Sequence, residues 1–549
     1  MTLTQAQYRS GLVALILCGA ALRLFGLNWD QGRGLHPDEG NLVRAALTLG
    51  VDGRLIPEFH AYNDLALWLP RIVSRPFCNT GDAACLTIAA RFLSAVMAVA
   101  AIPLAAALAR RLAGDVSARA AGLAGAALFA GAAPLVQWAH FGTTESALIL
   151  VVLVLWLLAV RWLDAEIGTR EMALCSGAVI GLGFGLKTAA LSGAFIPLAA
   201  FVMAGKPDAA RVRALGLGAG VAVGVGLACA PSVWAATREW LDVMAFESDV
   251  VTGRLPVHWT EQFHAAVPGL FELRQLWSAS TGAGLLLAVL GVVLLPRDRR
   301  RLAAPALVFA LIYGVIIVGW QARFFRYLAP LFPVLLVLAA VAVGRLAQPL
   351  RSRFALALAL AGGGAMMMAG MDQAAIYLRT DPRIAAETVL SARASPQDAV
   401  AIEPHDLAQT GKQPRLYLPL SERDVTPEAL AEVLSQVEWV MIASRRNWAV
   451  RPQYPQSPRV LCGYYAALAS GDLGFVRVAA FDRRGPFGRL FAPTLAAEET
   501  RRVFDRPEVY LLQNQARLGA KELAQRISAA SDPAACHAEA LAAGWRRVP

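Results

Sequence analysis

The chain has 549 residues, 57% of them hydrophobic and only 17% charged, with a mean hydropathy of +0.49. Soluble domains average about 45–50% apolar and about 25% charged, so the composition excludes an ordinary soluble enzyme, a disordered chain, a collagen and a disulfide-scaffold toxin, and places most of the chain in lipid. The net charge of +11 would suit nucleic acid, and the positions of the basic residues decide that question.

A membrane span needs about 20 mostly apolar residues. Eleven segments qualify, at roughly 9–27, 88–109, 118–136, 143–162, 172–186, 188–205, 214–233, 280–296, 303–320, 326–344 and 354–371. The fifth and sixth are short and separated only by Lys187, which predicts a tight pair or a broken hairpin. With the N-terminus in the cytoplasm, the cytoplasmic loops collect Arg9, Arg110, Arg111, Arg119, Arg161, Arg170, Lys206, Arg211, Arg213, Arg297, Arg299, Arg300, Arg301, Arg345, Arg351 and Arg353. The short outward turns hold only Lys187, Arg323 and Arg326. That asymmetry is the positive-inside rule. The basic charge marks topology, and no nucleic-acid partner is expected. The first span lacks a small-residue cleavage site and reads as an uncleaved signal anchor.

Three regions are not spans, and this topology puts all three outside. The first outer loop, 28–87, carries two short predicted helices, Asp38–Leu49 and Tyr62–Ser74; a second outer segment covers 234–279. Residues 372–549 are polar enough for a soluble α/β domain, with a helix over Pro382–Ala394 and strands at Ala399–Ile402, Trp439–Ala443 and Glu508–Leu512. Of the seven cysteines, Cys18, Cys175 and Cys229 fall in spans and act as small apolar residues. The other four lie outside, where oxidising conditions permit disulfides, and pair as Cys78–Cys85 and Cys462–Cys536.

The densest polar constellation follows the first span: Leu35, His36, Pro37, Asp38, Glu39, Gly40, Asn41. Pro37 suits the first turn of a helix, which sets Asp38 and Glu39 beside free backbone N–H groups and the positive end of the helix dipole. Capping plus surface charge is the plain alternative. A second polar cluster, Glu58 through Asp64, contains His60 and Tyr62.

These residues resemble a known family. The Asp38-Glu39 pair after the first span is similar to the first-loop motif of GT-C fold membrane glycosyltransferases, such as the protein O-mannosyltransferases and the aminoarabinose transferases of lipid A. Four further stretches resemble the family's pattern in order: Gly53 to Tyr62, Ala139 to Glu145, Gly181 to Thr188, and Arg323 to Pro333. Glu145 stands where the family has Asp, and Asn63-Asp64 replaces a Pro-containing stretch. The resemblance covers about 1–380 well.

It implies a polytopic GT-C-like transmembrane catalytic region over 1–371, with the extracytoplasmic domain at 372–549, in a bacterial inner membrane. It also implies inverting transfer of a sugar from a polyprenyl-phosphate donor to an envelope glycan, lipid or protein acceptor. Such a reaction needs a base for the acceptor hydroxyl, and Asp38 is the candidate, with Glu39 beside it or on a metal. It also needs fixed positive charge for the leaving phosphate. Arg326 next to Tyr327 fits that role or anchors its span, and Lys187 holds phosphate or snorkels to the interface. His60, Tyr62 and Glu145 are further substrate-binding candidates, and Arg91, at the head of the second span, either touches the donor or anchors the helix. A divalent metal (Zn²⁺, Mg²⁺ or Mn²⁺) on His36, Glu39 and His258 stays open, although no spacing is a metal signature. The rival readings are a transporter or flippase of lipid-linked sugars, and a non-catalytic envelope-assembly protein.

Overall fold

A computed structural model describes residues 3–205, 208–348, 353–421, 424–530 and 536–546; Lys206 and Arg351 of the topology analysis lie outside them. The chain divides into two compact units. The first comprises Met1–Thr252, Pro268–Leu378 and Gly485–Phe491, and the second Gly253–Val267, Arg379–Arg484 and Ala492–Pro549.

The first unit is helical. Its elements begin with α1 (Gln5–Leu24), α2 (Pro37–Thr48), α3 (Leu65–Ser74), α4 (Ala83–Ala113), α5 (Ala118–Gly131) and α6 (Ala133–Ala139). They continue through α7 (Glu145–Leu163), α8 (Thr169–Leu186), α9 (Phe195–Met203), α10 (Ala209–Cys229), α11 (Ser232–Ala235) and α12 (Thr237–Thr252). The remainder are α13 (Leu270–Ala279), α14 (Ala283–Leu294), α15 (Arg300–Val318), α16 (Phe332–Leu346) and α17 (Arg353–Ile376).

Among the described residues, six helices are long and apolar enough to span a membrane: Ala83–Ala113, Glu145–Leu163, Ala209–Cys229, Arg297–Val318, Phe325–Leu346 and Arg353–Ile376. Two bent pairs, α5 with α6 (54°) and α13 with α14 (102°), raise the number to eight. The protein is a multi-pass membrane protein, and these segments coincide with eight of the eleven expected spans. Two of the other three are less regular for local reasons. Helix α1 carries Arg9 and Arg23. The predicted 188–205 span breaks into a 3-10 turn, Thr188–Ala194, followed by the short α9.

Sequence chemistry explains two features that position the polar loops. His36 caps α2 and Pro37 opens it, so Asp38 and Glu39 occupy its first turn. Helices α8 and α10 approach closely through small residues. A Cβ on Gly177 would lie 2.1 Å from the Gly218 carbonyl oxygen, and one on Gly181 would lie 2.7 Å from that of Ala222. Bare backbones at this spacing let membrane helices gain van der Waals contact without a hydrophobic driving force. The α8–α10 pair thus fixes the turn that carries Lys187.

The second unit is α/β. Its sheet has the order β2-β1-β3-β5-β4, with β1 (Val400–Ile402), β2 (Arg415–Tyr417), β3 (Trp439–Ile442), β4 (Phe475–Phe481) and β5 (Val509–Asn514). Strand β1 pairs parallel with β2 and β3, while β5 runs antiparallel to β3 and β4. The central strand β3 is buried on both faces and accordingly reads as an unbroken apolar run. Val440 and Ile442 pack on one layer, with Tyr464, Leu468 and Trp545; Trp439 and Met441 pack on the other, with Ala386 and Leu390. Both expected disulfides form, Cys78–Cys85 and Cys462–Cys536, with Cα separations of 5.7 and 5.4 Å.

Candidate functional site

Within the first unit, Asp38 at the start of α2 forms an ion pair with Arg326, each side chain about a quarter exposed. Arg326 lies in the 3-10 turn Phe325–Leu331 that leads into α16. Its guanidinium sits 5.0 Å from the Phe324 ring centroid and 5.9 Å from that of Tyr327. Lys187, which ends α8, places Nζ 3.8 Å from Glu145 Oε1 and 4.7 Å from the Tyr62 ring centroid. Burial, reinforced by the Asp38 charge, holds the Tyr62 hydroxyl well above the usual phenol range, so it stays protonated. Asp38, Arg326, Lys187, Glu145, Tyr62 and Tyr327 form one electrostatic neighbourhood.

The loops bearing these groups are pinned by polar contacts. Asp64 accepts hydrogen bonds from Ser232 N (2.7 Å) and Oγ (2.6 Å), while Asn63 Oδ1 accepts one from Trp240 Nε1 (3.1 Å). The Asn63-Asp64 pair therefore ties the Tyr62 loop to α11 and α12. Tyr313 donates its hydroxyl to the Tyr327 carbonyl at 2.9 Å, steadying the turn beside Arg326.

Glu39 and Arg91 are buried against each other. All five N–H donors of Arg91 are used. Nε bonds Glu39 Oε1 (3.0 Å), Nη2 bonds Glu39 Oε2 (2.6 Å) and Asp30 Oδ2 (2.9 Å), and Nη1 bonds Asp30 Oδ1 (2.9 Å) and the Leu27 carbonyl (2.8 Å). Gly142 N donates to Glu39 Oε1, and the Trp29 ring covers the guanidinium at 4.6 Å. Burial pushes Asp30 upward, but the bonds and charge of Arg91 hold it below the usual carboxylate range. With Arg91 at 0% and Glu39 at 1% exposure, neither side chain has a surface to offer a donor. They clamp the start of α2 to α4 and the Gly142 turn, and in this way aim Asp38.

The expected metal trio does not assemble. Among the described residues no group of three or more His, Cys, Asp or Glu side chains could hold a metal ion. His36 accepts from Glu39 N through Nδ1 and packs edge-on to Phe141 at 4.4 Å. Burial pushes it below the usual imidazole range, against the pull of Glu39 and Asp38. His258 belongs to the second unit, with Nδ1 3.1 Å from Arg451 Nη1; burial and that charge push it down to about 3. His60 is 4% exposed, and its Nδ1 makes no hydrogen bond among the described residues.

The sequence singled out nothing at Glu247, although this α12 carboxylate lies within electrostatic reach of Arg326, Lys187 and Asp38. The available signal was a stripe of Trp240, Met244, Glu247 and Val251 at helical spacing. Asp30, the second anchor of Arg91, was also missed; it sits in a turn with no motif around it. The second unit buries its own carboxylate pair, Glu403 and Asp406, just after β1. Burial raises both above the usual range, and the Asp406 charge pushes Glu403 further up.

Comparison with solved structures identifies the fold. No protein-family model matches the sequence, and no curated protein sequence does. The chain is similar to the structure of ArnT from Cupriavidus metallidurans bound to undecaprenyl phosphate. The TM-score is 0.50 and the identity 16%, with 94% of this chain and 99% of that one covered. It is also similar to the apo oligosaccharyltransferase of Archaeoglobus fulgidus, at a TM-score of 0.50 and 14% identity, covering 87% of this chain and 74% of that one. The protein therefore has the GT-C fold of membrane glycosyltransferases, as the sequence motifs led one to expect.

Proposed function

We propose that the protein is an inverting glycosyltransferase that moves a sugar from a polyprenyl-phosphate donor to an acceptor hydroxyl. The carrying observation is the Asp38–Arg326 ion pair beside Lys187. This pairing of a carboxylate with fixed cations suits a displacement in which one proton must be taken and one phosphate released. The undecaprenyl phosphate bound by the similar ArnT supports a lipid-phosphate donor.

In this reading the donor phosphate engages Arg326 and Lys187 and frees Asp38 from its partner. The acceptor oxygen attacks the anomeric carbon from the opposite side, and its proton passes to Asp38. The bond from the anomeric carbon to the phosphate oxygen breaks, and its electron pair stays on the phosphate. The two cations offset the charge that develops there. Tyr62, as a neutral phenol, and Tyr327 line the site, and Glu145 orients Lys187. The reaction takes place at the outer face of a bacterial inner membrane, with the N-terminus cytoplasmic. Residues 372–549 form the extracytoplasmic domain that receives an envelope glycan, lipid or protein acceptor.

Two measurements test this. Asp38→Asn should abolish the glycosylated product in cells while the protein still inserts and melts normally. Mass spectrometry of envelope lipids from cells lacking the gene should show a lipid-linked monosaccharide accumulating. Unchanged product with the Asp38→Asn protein removes Asp38 as the base, and unchanged envelope lipids and glycans remove the transferase reading.

A further inference from the structure

Helix α12 turns one face toward the reaction site. Trp240 donates to Asn63 Oδ1 on the Tyr62 loop. Met244 Sδ accepts a hydrogen bond from Thr188 Oγ1, next to Lys187, at 3.8 Å. The Val251 carbonyl accepts from Gln321 N at 2.9 Å and Ala322 N at 3.0 Å, in the turn that leads to Arg326. Trp240, Met244 and Glu247 lie at i, i+4 and i+7 of one helix, so their side chains share a face. Two side-chain contacts, with the backbone contact at Val251 holding the helix end, therefore turn Glu247 toward the loops that bear the cations.

Charge arithmetic shows what Glu247 adds there. Arg326 is paired with Asp38 and Lys187 with Glu145. Two cations thus already face two carboxylates, and a third ionised carboxylate would repel an arriving phosphate. Burial raises Glu247 above the usual carboxylate range, although Arg326 and Lys187 pull it down and Asp38 pushes it further up. Its carboxyl is half-buried.

We infer that Glu247 enters the reaction protonated and donates its proton to the leaving phosphate, as the acid that complements Asp38. This rests on the transferase reading above. The donor is a phosphodiester with one negative charge. When the anomeric C–O bond breaks, the electron pair goes to the phosphate oxygen, giving a monoester with a second charge. The Glu247 proton moves onto that oxygen, the acceptor proton goes to Asp38, and the two carboxyls have exchanged protonation states when the products leave. The residue would be missed by any search for motifs, because a lone glutamate on an amphipathic helix carries no signature.

The test uses the full-length protein in nanodiscs with undecaprenyl phosphate as the probe, titrated between about pH 5 and pH 9, on either side of a raised glutamate value. Asp38, Lys187, Arg326 and Tyr327 also face Glu247, so the comparison is between variants rather than within one profile. Wild-type protein should lose affinity toward the alkaline end, by about tenfold for each pH unit above the Glu247 ionisation. Glu247→Gln should keep its affinity there, to within about twofold, and Asp242→Asn, an exposed change on the same helix, should follow wild type. Matching alkaline limbs for wild type and Glu247→Gln overturn the inference while leaving the transferase reading intact, provided Arg326→Ala abolishes binding. If wild-type protein does not bind the probe at any pH, the transferase reading falls and the inference with it.

Discussion

Replacing Arg91 with alanine separates a structural clamp from a donor-binding group. In the structure the guanidinium neutralises Asp30 and Glu39 with four hydrogen bonds of 2.6–3.0 Å and is itself 0% exposed. Alanine would leave two carboxylates buried with no counter-ion, the most damaging way to break such an arrangement. Removing one partner of a buried ion pair costs roughly 3–5 kcal/mol. In a unit of this size, that is a melting shift of roughly 5 °C. The assay is thermal unfolding of the purified protein in detergent, alongside undecaprenyl phosphate binding. The triple variant Asp30→Asn, Glu39→Gln, Arg91→Met, which removes the charges together, should recover most of the loss. The clamp is refuted if Arg91→Ala melts within about a degree of wild type but no longer binds the lipid phosphate; Arg91 would then be a ligand contact.

Lys187→Ala should weaken undecaprenyl phosphate binding roughly ten- to a hundredfold, the value of one charge-assisted hydrogen bond, with little change in melting; isothermal titration in nanodiscs reads it. The second unit should lose stability as pH rises from about 4 to about 8, because Glu403 and Asp406 hold protons in the folded state that the unfolded chain has already released. Glu403→Gln should flatten that slope in thermal melts across the same range. The Cys462–Cys536 bridge closes a sequence separation of 74 residues, so Cys462→Ser together with Cys536→Ser should destabilise the second unit by about 4 kcal/mol; the same change at Cys78–Cys85, a separation of 7, should cost about 2–3 kcal/mol.

Local pattern determined much of the architecture. The apolar stretches announced a membrane protein, and Pro37 with its two following acids announced α2, which runs Pro37–Thr48. The apolar strands Val400–Ile402, Trp439–Ile442 and Val509–Asn514 were legible because they are buried on both faces. The edge strands Arg415–Tyr417 and Phe475–Phe481 were not, since a half-solvated edge needs no distinctive run. Both disulfides followed from which cysteines lay outside spans.

The tertiary structure alone decided which charges meet. Composition cannot tell that Arg91 reaches back to Asp30 and Glu39 rather than outward, nor that Asp38 finds Arg326 across 288 residues of chain. An ion pair is specified by where two helices cross, not by anything near either residue in sequence. Hydropathy sees apolar residues and marked a tight pair or broken hairpin at Lys187, whereas the 102° bend between α13 and α14 comes from packing that no window along the chain can sum. Glu247 shows the same division: nothing in the outer segment 234–279 marked it, and only the side-chain contacts of Trp240 and Met244 say which way its face points.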